Sequence, residues 1–79
     1  MTVFLIYKTD QHHSKASREL IGVVQKEVHV LDICKQEAER EHAELDDSQI
    51  FYLKQIRQTH GYKGAGEFDY EEVETGVLL

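Results

Sequence analysis

The sequence predicts a small α+β domain in which two helices pack on one face of an antiparallel sheet, in the order β-β-α-α-β. Three observations support this fold class. β-Branched and aromatic residues are concentrated at 2–9, and aromatic residues alternate with acidic ones at the start of 67–74. Apolar residues recur at helical spacing between 26 and 56. The length of 79 residues allows one domain, spanning 1–79.

The N-terminal part of the chain predicts a strand, a polar loop and a second strand. Residues 2–9 are almost continuously apolar, which is typical of a central strand, and the polar residues 10–17 predict a loop. In 18–25, four aliphatic side chains flank Gly22, which suits a bulge or a close backbone approach. Alternatively, Ser17 caps a long helix that continues through the next segment. We favour the strand, because Ile-Gly-Val-Val is poor helix sequence.

The middle of the chain predicts two helices. Residues 26–44 form the first, because apolar or small residues recur at steps of four while charged residues occupy the other positions. This stripe consists of Val30, Cys34, Ala38 and His42. Cys34 is therefore expected to be buried as a small hydrophobic residue. Asp46 or Asp47 is expected to cap a second helix over about 48–56.

The C-terminal part predicts a glycine loop and a third strand. Three of the five glycines lie within 61–66, which indicates a turn or a loop. In 67–74, Phe68 and Tyr70 alternate with acidic residues, as in a strand with one buried face. The apolar tail 77–79 is expected either to dock on the same core or to contact another subunit.

The composition excludes several classes of protein. Nine basic and fifteen acidic residues give a net charge of −6, whereas general nucleic-acid binding needs a basic surface. The charge is uneven, because 1–36 carries five basic and four acidic residues (+1) and 37–79 carries four and eleven (−7). The only cysteine cannot form an intrachain disulfide, and no apolar run approaches the ~20 residues of a membrane helix. We therefore expect a cytoplasmic protein with no membrane partner.

A first group of candidate ligand-binding residues lies in the loop between the first two strands. Its members are His13, Ser14, Ser17 and Arg18. Hydroxyls and backbone N–H groups can hold phosphate oxygens, and a guanidinium matches phosphate with two parallel donors. The alternative is a polar surface loop whose side chains make local turn hydrogen bonds.

A second group of candidates surrounds the glycine loop. Its members are Arg57, Thr59, His60, Tyr62 and Lys63. A tyrosine can stack on a base while basic side chains hold a phosphate. The pattern Gly61-x-x-Gly64-x-Gly66 is not a dinucleotide-binding fingerprint, because no strand precedes it and no helix follows it. The alternative is an ordinary hairpin turn with a basic flank.

Other chemistry has weaker support in the sequence. The chain lacks a His-x₃-His helix pair and a cysteine cluster, so we predict no metal site and no cofactor. Two of its histidines could act as general acid and base on a phosphodiester. No activated nucleophile or carboxylate dyad stands out, which favours a protein that is not an enzyme.

The two groups of candidates also carry a resemblance. The residues concerned are Ile6-Tyr7-Lys8-Thr9-Asp10, His13-Ser14 and Ser17-Arg18-Glu19-Leu20-Ile21, followed by Ile56-Arg57-Gln58-Thr59-His60-Gly61-Tyr62, Gly64, Gly66-Glu67-Phe68 and Glu71-Glu72-Val73. Over most of its length the chain resembles small uncharacterised proteins of gut Bacteroidales and their phages. The resemblance implies a phage or mobile-element origin, a counter-defence role by analogy, and location in the host cytoplasm if the chain is phage-encoded. It transfers no catalytic residues.

Three functional hypotheses follow. The leading one is a homo-oligomeric binding protein that sequesters an anionic, nucleotide-derived signalling molecule in a pocket formed by the two loops. The alternative is a protein-interaction module whose acidic surface, 37–47 with 67–74, inhibits a basic partner. The second alternative is a phosphodiesterase that acts on a cyclic nucleotide signal through His12, His13 or His60.

Overall fold

The computed structural model describes residues 2–13, 15–64 and 66–74. Across these residues the chain forms three strands, a short 3₁₀ turn (Lys15–Ser17) and two α-helices in the predicted β-β-α-α-β order. The elements are β1 (Thr2–Thr9), β2 (Glu19–Val24), α1 (Val28–Arg40), α2 (Asp47–Ile56) and β3 (Glu67–Glu74). The predicted α+β fold class is confirmed. Ser14 and the apolar tail 77–79 lie outside the described residues.

The sheet is antiparallel with the order β2-β1-β3, so the prediction that 2–9 is the central strand is confirmed. The segment 18–25 contains β2, which resolves the choice between strand and helix in favour of the strand. Ile6 pairs with Gly22 and Tyr7 pairs with Leu20, so the register shifts by one residue at Ile21. This bulge lies next to the glycine where the sequence predicted a bulge or a close approach.

At Gly22, α1 packs closely on the sheet. A Cβ atom at this position would lie 3.0 Å from Cγ2 of Ile33 in α1 and 3.6 Å from Cδ1 of Ile6. A side chain would therefore push the helix outward. The predicted close approach is confirmed.

The core lies between one face of the sheet and the two helices. From the sheet it takes Phe4, Ile6, Phe68 and Tyr70, and from the helices Val30, Cys34, Ala38 and Leu53. Both helices therefore cover the same face, as predicted. Ile6, Cys34 and Phe68 are fully buried, which confirms the expectation for Cys34.

Helix α1 ends earlier than the sequence predicts. His42 has a left-handed backbone (φ 57°), and the Ala43 N–H donates to the Ala38 carbonyl over 2.9 Å. This is the hydrogen bond of a helix C-terminal cap, and it stops the helix at Arg40. The expectation that the apolar stripe continues to His42 is wrong, because the chain reverses there and this side chain is exposed.

The start of α2 agrees with the predicted cap. The Asp46 carboxylate accepts a hydrogen bond from the Gln49 N–H at 3.0 Å, which satisfies one of the free donors of the first turn. The helix ends at Arg57, whose left-handed backbone (φ 59°) lets its N–H reach the Leu53 carbonyl at 3.1 Å. The cap therefore fixes where Arg57 leaves the helix.

Two glycines of the loop before β3 allow a matched test of whether the backbone leaves room for a Cβ atom. Gly61 (φ 81°) and Gly66 (φ 84°) are both left-handed, but only at Gly66 would a Cβ atom overlap the carbonyl oxygen of Thr9. At Gly61 the nearest atom would be 3.9 Å away. We expect Gly61→Ala to lower the free energy of unfolding by about 1–2 kcal/mol and Gly66→Ala by at least about 3 kcal/mol. Urea unfolding curves measure both, and equal losses would contradict the overlap.

Cys34 provides a second test, of core packing. Burial is the larger influence on its thiol and raises the pKa from 9.0 to about 12, while the nearby Lys8 charge opposes the shift. Because the thiolate is the reactive form, the native protein should react with a disulfide reagent at pH 8 far more slowly than the urea-unfolded chain. If Cys34 reacted with the reagent at equal rates in native and unfolded protein, the core would be open at this position.

Candidate functional site

The loop before β3 is organised by a buried carboxylate, that of Glu67, which is 5% exposed. It accepts hydrogen bonds from the Thr59 hydroxyl at 2.7 Å, the Gly61 N–H at 2.9 Å and the Tyr62 N–H at 3.2 Å. The alternation in β3 predicted that the acidic side chains of this strand would be exposed, and for Glu67 this is wrong. A carboxylate can be buried here because its oxygens are paired with donors from the loop.

The same loop is attached to the edge of β3. The Thr59 N–H donates to the Phe68 carbonyl at 2.9 Å, and the Tyr70 N–H donates to the Arg57 carbonyl at 3.1 Å. From the other side, the buried amide of Gln49 makes two hydrogen bonds to the backbone of residue 60, at 2.7 and 2.9 Å. Residues 57–60 therefore have a defined position beside β3, next to the first polar loop.

The two polar loops meet at His13 and Asp69. Nε2 of His13 lies 2.9 Å from the carbonyl oxygen of Thr59. Because a carbonyl oxygen only accepts, Nε2 must carry a proton. The other ring nitrogen lies 3.3 Å from the Thr9 hydroxyl and 3.6 Å from a carboxylate oxygen of Asp69. The histidine thus joins the loop after β1 to the loop after α2.

Arg18 reaches the same carboxylate from the β2 side. Its Nη2 donates to Asp69 at 3.1 Å and lies 3.9 Å from Glu71. The guanidinium lies over the ring of Tyr7, 3.7 Å from the centroid, which adds a cation–π contact. Its Nε is buried and has no hydrogen-bond partner within the described part of the chain. The Arg18 head is therefore held in position while one donor is left over.

Arg57 completes a cleft of about 220 Å³. The cleft is lined by His13, Arg18, Ile56, Arg57, Gln58, Asp69 and Tyr70. The Arg57 side chain is 47% exposed, and its Nη2 lies 3.4 Å from Glu72 and 3.7 Å from Glu27. Two guanidinium groups and one imidazole from separate segments thus border one small space.

Not all predicted site residues belong to this cleft. Tyr62 is 6% exposed, its ring packs 4.9 Å from that of Phe68, and its hydroxyl donates to Glu41 at 2.9 Å. The Lys8 side chain is largely buried as well. Its ammonium group pairs with Glu41 at 2.8 Å and lies over the rings of Tyr62 and Phe68. The predicted stacking of Tyr62 on a base has no exposed ring face to use.

The remaining candidates have local roles. Thr59 is fully buried, and its hydroxyl binds Glu67, as described above. The His60 ring contacts the edge of Tyr52, with centroids 6.1 Å apart. The Ser17 hydroxyl accepts a hydrogen bond from the Asp10 N–H at 2.9 Å, and Lys63 is exposed. Of the eight candidates that the structure describes, the cleft brings together His13, Arg18 and Arg57.

Asp69 is the residue that sequence reasoning missed. It was one of several acidic residues in an alternating strand, and the pattern did not distinguish it from its neighbours. The only available signal was its position opposite Tyr7 and within reach of a polar loop, which requires the β1–β3 register to be known. The structure shows that it holds both Arg18 and His13.

The described part of the cleft presents two guanidinium groups and an imidazole beside the Asp69 carboxylate. Both ring nitrogens of His13 have neighbours within the protein, and among the described residues the cleft lining contains no serine, cysteine or lysine. Within the described ranges, no three His, Cys, Asp or Glu side chains are grouped as a metal site. A search of the same residues finds no helix with the length and apolar character to cross a membrane.

Comparisons of the chain with protein-family models, with curated proteins and with solved structures give no match.

Two tyrosines beside the cleft predict a pH dependence of stability. Burial, followed by a hydrogen bond to Glu71, raises the pKa of Tyr7, and burial with a hydrogen bond to Glu27 raises that of Tyr70 to about 12. Because the unfolded chain loses these protons near pH 10, the stabilisation is complete below pH 10 and is lost as the pH rises towards 12.

Ultraviolet titration of phenolate measures this effect. We expect part of the tyrosine absorbance of native protein to appear only near pH 12, and Tyr70→Phe to remove one late-titrating group. The denaturant concentration at the unfolding midpoint should decrease as the pH rises from 10 to 12. A native titration that coincides with that of the unfolded chain would contradict the buried hydrogen bonds.

Proposed function

We propose that this protein is a small homo-oligomeric binding protein that sequesters an anionic, nucleotide-derived signalling molecule without converting it. The observation that carries the proposal is the convergence of Arg18, Arg57 and His13 on one cleft, from segments about forty residues apart in the sequence. Two guanidinium groups of an acidic chain thus meet at one place, each paired with carboxylates of the same chain. Guanidinium groups are well suited to phosphate, because they offer paired donors in a plane.

The carboxylates around the cleft do not prevent anion binding. Arg57 is half exposed, and its contacts to Glu27 and Glu72 are 3.7 and 3.4 Å. Exposed ion pairs of this kind contribute about 0–1 kcal/mol, so a phosphate that offers two oxygens can replace them. Arg18 keeps its contact with Asp69 and has the buried Nε still unpaired among the described residues. Arg57 would therefore turn towards the ligand, whereas Arg18 is already in place.

The size of the cleft limits the ligand. Drug-sized ligands occupy pockets of about 300–1,000 Å³, whereas this cleft measures about 220 Å³. It has room for a phosphate and part of a sugar, and the rest of a nucleotide would extend beyond it. This is consistent with a pocket that a second copy of the chain helps to enclose, and hence with the homo-oligomer.

The resemblance to proteins of gut Bacteroidales and their phages supports a counter-defence setting, in which a tight binder lowers the concentration of an immune signal.

The acidic-surface hypothesis has less support, because the carboxylates of Glu41 and Glu67 bind groups of the same chain. The phosphodiesterase hypothesis has less support because both ring nitrogens of His13 have protein neighbours.

Calorimetry with a panel of cyclic nucleotides and ADP-ribose derivatives tests the proposal. We expect heat with at least one member and a loss of at least about tenfold in affinity for Arg57→Ala, since a charge-assisted hydrogen bond contributes about 1.5–3 kcal/mol. Arg18→Ala should have a similar or larger effect. Ligand recovered intact after long incubation would agree with sequestration.

Arg40→Ala is the matched control, because it removes the same charge from an exposed position on α1, where the partner is Glu37. The Arg40→Ala variant should bind the same member of the panel with the affinity of the original protein. Equal losses in the Arg40 and Arg57 variants would reduce the effect to net charge and reject the cleft. No heat with any member of the panel would reject the ligand class.

A further inference from the structure

A cavity of about 370 Å³ lies between the start of α1 and the second half of α2, and we call it the inter-helix cavity. Among the described residues, its apolar walls are Val28, Val30 and Leu31 of α1 and Leu53 of α2. Small-molecule sites are typically apolar cavities of about 300–1,000 Å³ that contain a few polar groups. The inter-helix cavity has this size and this composition.

The inter-helix cavity adjoins the cleft of the proposed function. Tyr70 lines both spaces. Arg57 lines the cleft and Glu27 lines the cavity, and Nη2 of Arg57 lies 3.7 Å from Oε2 of Glu27. The part of a nucleotide that extends beyond the cleft therefore has an apolar space beside it within the same chain.

The carboxylate of Glu27 keeps acceptor capacity for a ligand in this cavity. The Tyr70 hydroxyl donates to its Oε2 at 3.0 Å, whereas Oε1 accepts no hydrogen bond from the described residues. Glu27 precedes α1, but its side chain does not cap the helix. A phosphate that attracts Arg57 would take away the one cation that Glu27 contacts in the described chain. Donors from the ligand would then compensate the carboxylate.

The charged groups of the lining distinguish between the bases. An ionised carboxylate only accepts, so it is matched by two adjacent donors. Among the common bases, guanine has such a pair on one edge, the ring N–H and the amino group. Adenine and cytosine present a donor next to an acceptor nitrogen, which a carboxylate repels. Lys54, exposed on α2, adds a donor to the same lining, and this suits the carbonyl oxygen of guanine.

We propose that the inter-helix cavity binds the guanine base of a nucleotide whose phosphate lies in the cleft. The Glu27 carboxylate accepts from the ring N–H and the amino group, and the aliphatic walls hold the faces of the base. Tyr70 borders both spaces and holds the carboxylate through its hydroxyl. This inference rests on the proposed function, from which it takes the phosphate site, but it does not depend on the number of copies of the chain.

Calorimetry of the full chain with cyclic GMP, cyclic IMP and cyclic AMP tests the base. We expect cyclic GMP to bind at least about tenfold more tightly than either of the others, because one charge-assisted hydrogen bond is lost with each. Hypoxanthine lacks the amino group, and adenine has an acceptor in place of the ring N–H. Equal affinities for the three, or a preference for cyclic AMP, would overturn the guanine site.

Glu27→Gln and Glu72→Gln form a matched pair. Both carboxylates contact Nη2 of Arg57, at 3.7 and 3.4 Å, and both side chains are half exposed. Glu72 does not line the inter-helix cavity. Glu27→Gln should therefore lower the affinity for cyclic GMP at least about tenfold, because an amide offers one acceptor and one donor. Glu72→Gln should keep the preference for cyclic GMP.

Equal effects of the two glutamine variants would assign both to Arg57 and overturn the role of Glu27. The amide oxygen at position 27 can still accept from the Tyr70 hydroxyl. The denaturant concentration at the unfolding midpoint should therefore stay unchanged in Glu27→Gln, so that a loss of affinity reports on the base.

The outcome is separable from that of the proposed function. Arg57→Ala should weaken the binding of all three cyclic nucleotides by a similar factor and leave the preference for guanine unchanged, because it acts on the phosphate. Heat with an ADP-ribose derivative but with none of the three cyclic nucleotides would reject the guanine site and keep the cleft. No heat with any of these compounds would reject both.

Discussion

The buried carboxylate of Glu67 is the contact on which the arrangement of the loops depends. Three donors from the preceding loop converge on it, the Thr59 hydroxyl and the backbone N–H groups of Gly61 and Tyr62. Hydrogen bonds to a charged group contribute about 1.5–3 kcal/mol each, and leaving such a group unpaired costs more. The loop is therefore held against the start of β3, and Gly66 supplies the left-handed turn that brings the chain back onto Thr9.

The position of this loop determines the chemistry of the cleft. Once Thr59 is fixed, its carbonyl accepts a hydrogen bond from Nε2 of His13, and the half-exposed Arg57 lines the same cleft as Asp69. Arg18 is held there by Asp69 and by the ring of Tyr7. Both helices pack on one face of the sheet, and Arg18 lies on the other face, over the ring of Tyr7, where it borders the cleft.

Much of the fold could be predicted because hydrophobic periodicity reports directly on which face of an element is buried. The three strands, the two helices, the cap at Asp46 and the close approach at Gly22 all follow from local sequence. The end of α1 could not be predicted in this way. His42 continues the apolar spacing, yet its left-handed backbone and the bond from Ala43 to Ala38 end the helix. The pattern contains no signal for a cap without glycine.

The candidate site, like the fold, could be predicted from the sequence only in part. The sequence by itself determined that each of two polar loops carries an arginine and a lysine, and that Arg18 and Arg57 are candidates for binding an anion. Only the tertiary structure decided which candidates meet. It turned Tyr62 into the core and made Asp69 the common partner of the two loops. The physical reason is that composition and spacing describe one segment at a time, whereas strand register and the bonds of a buried carboxylate decide which segments become neighbours.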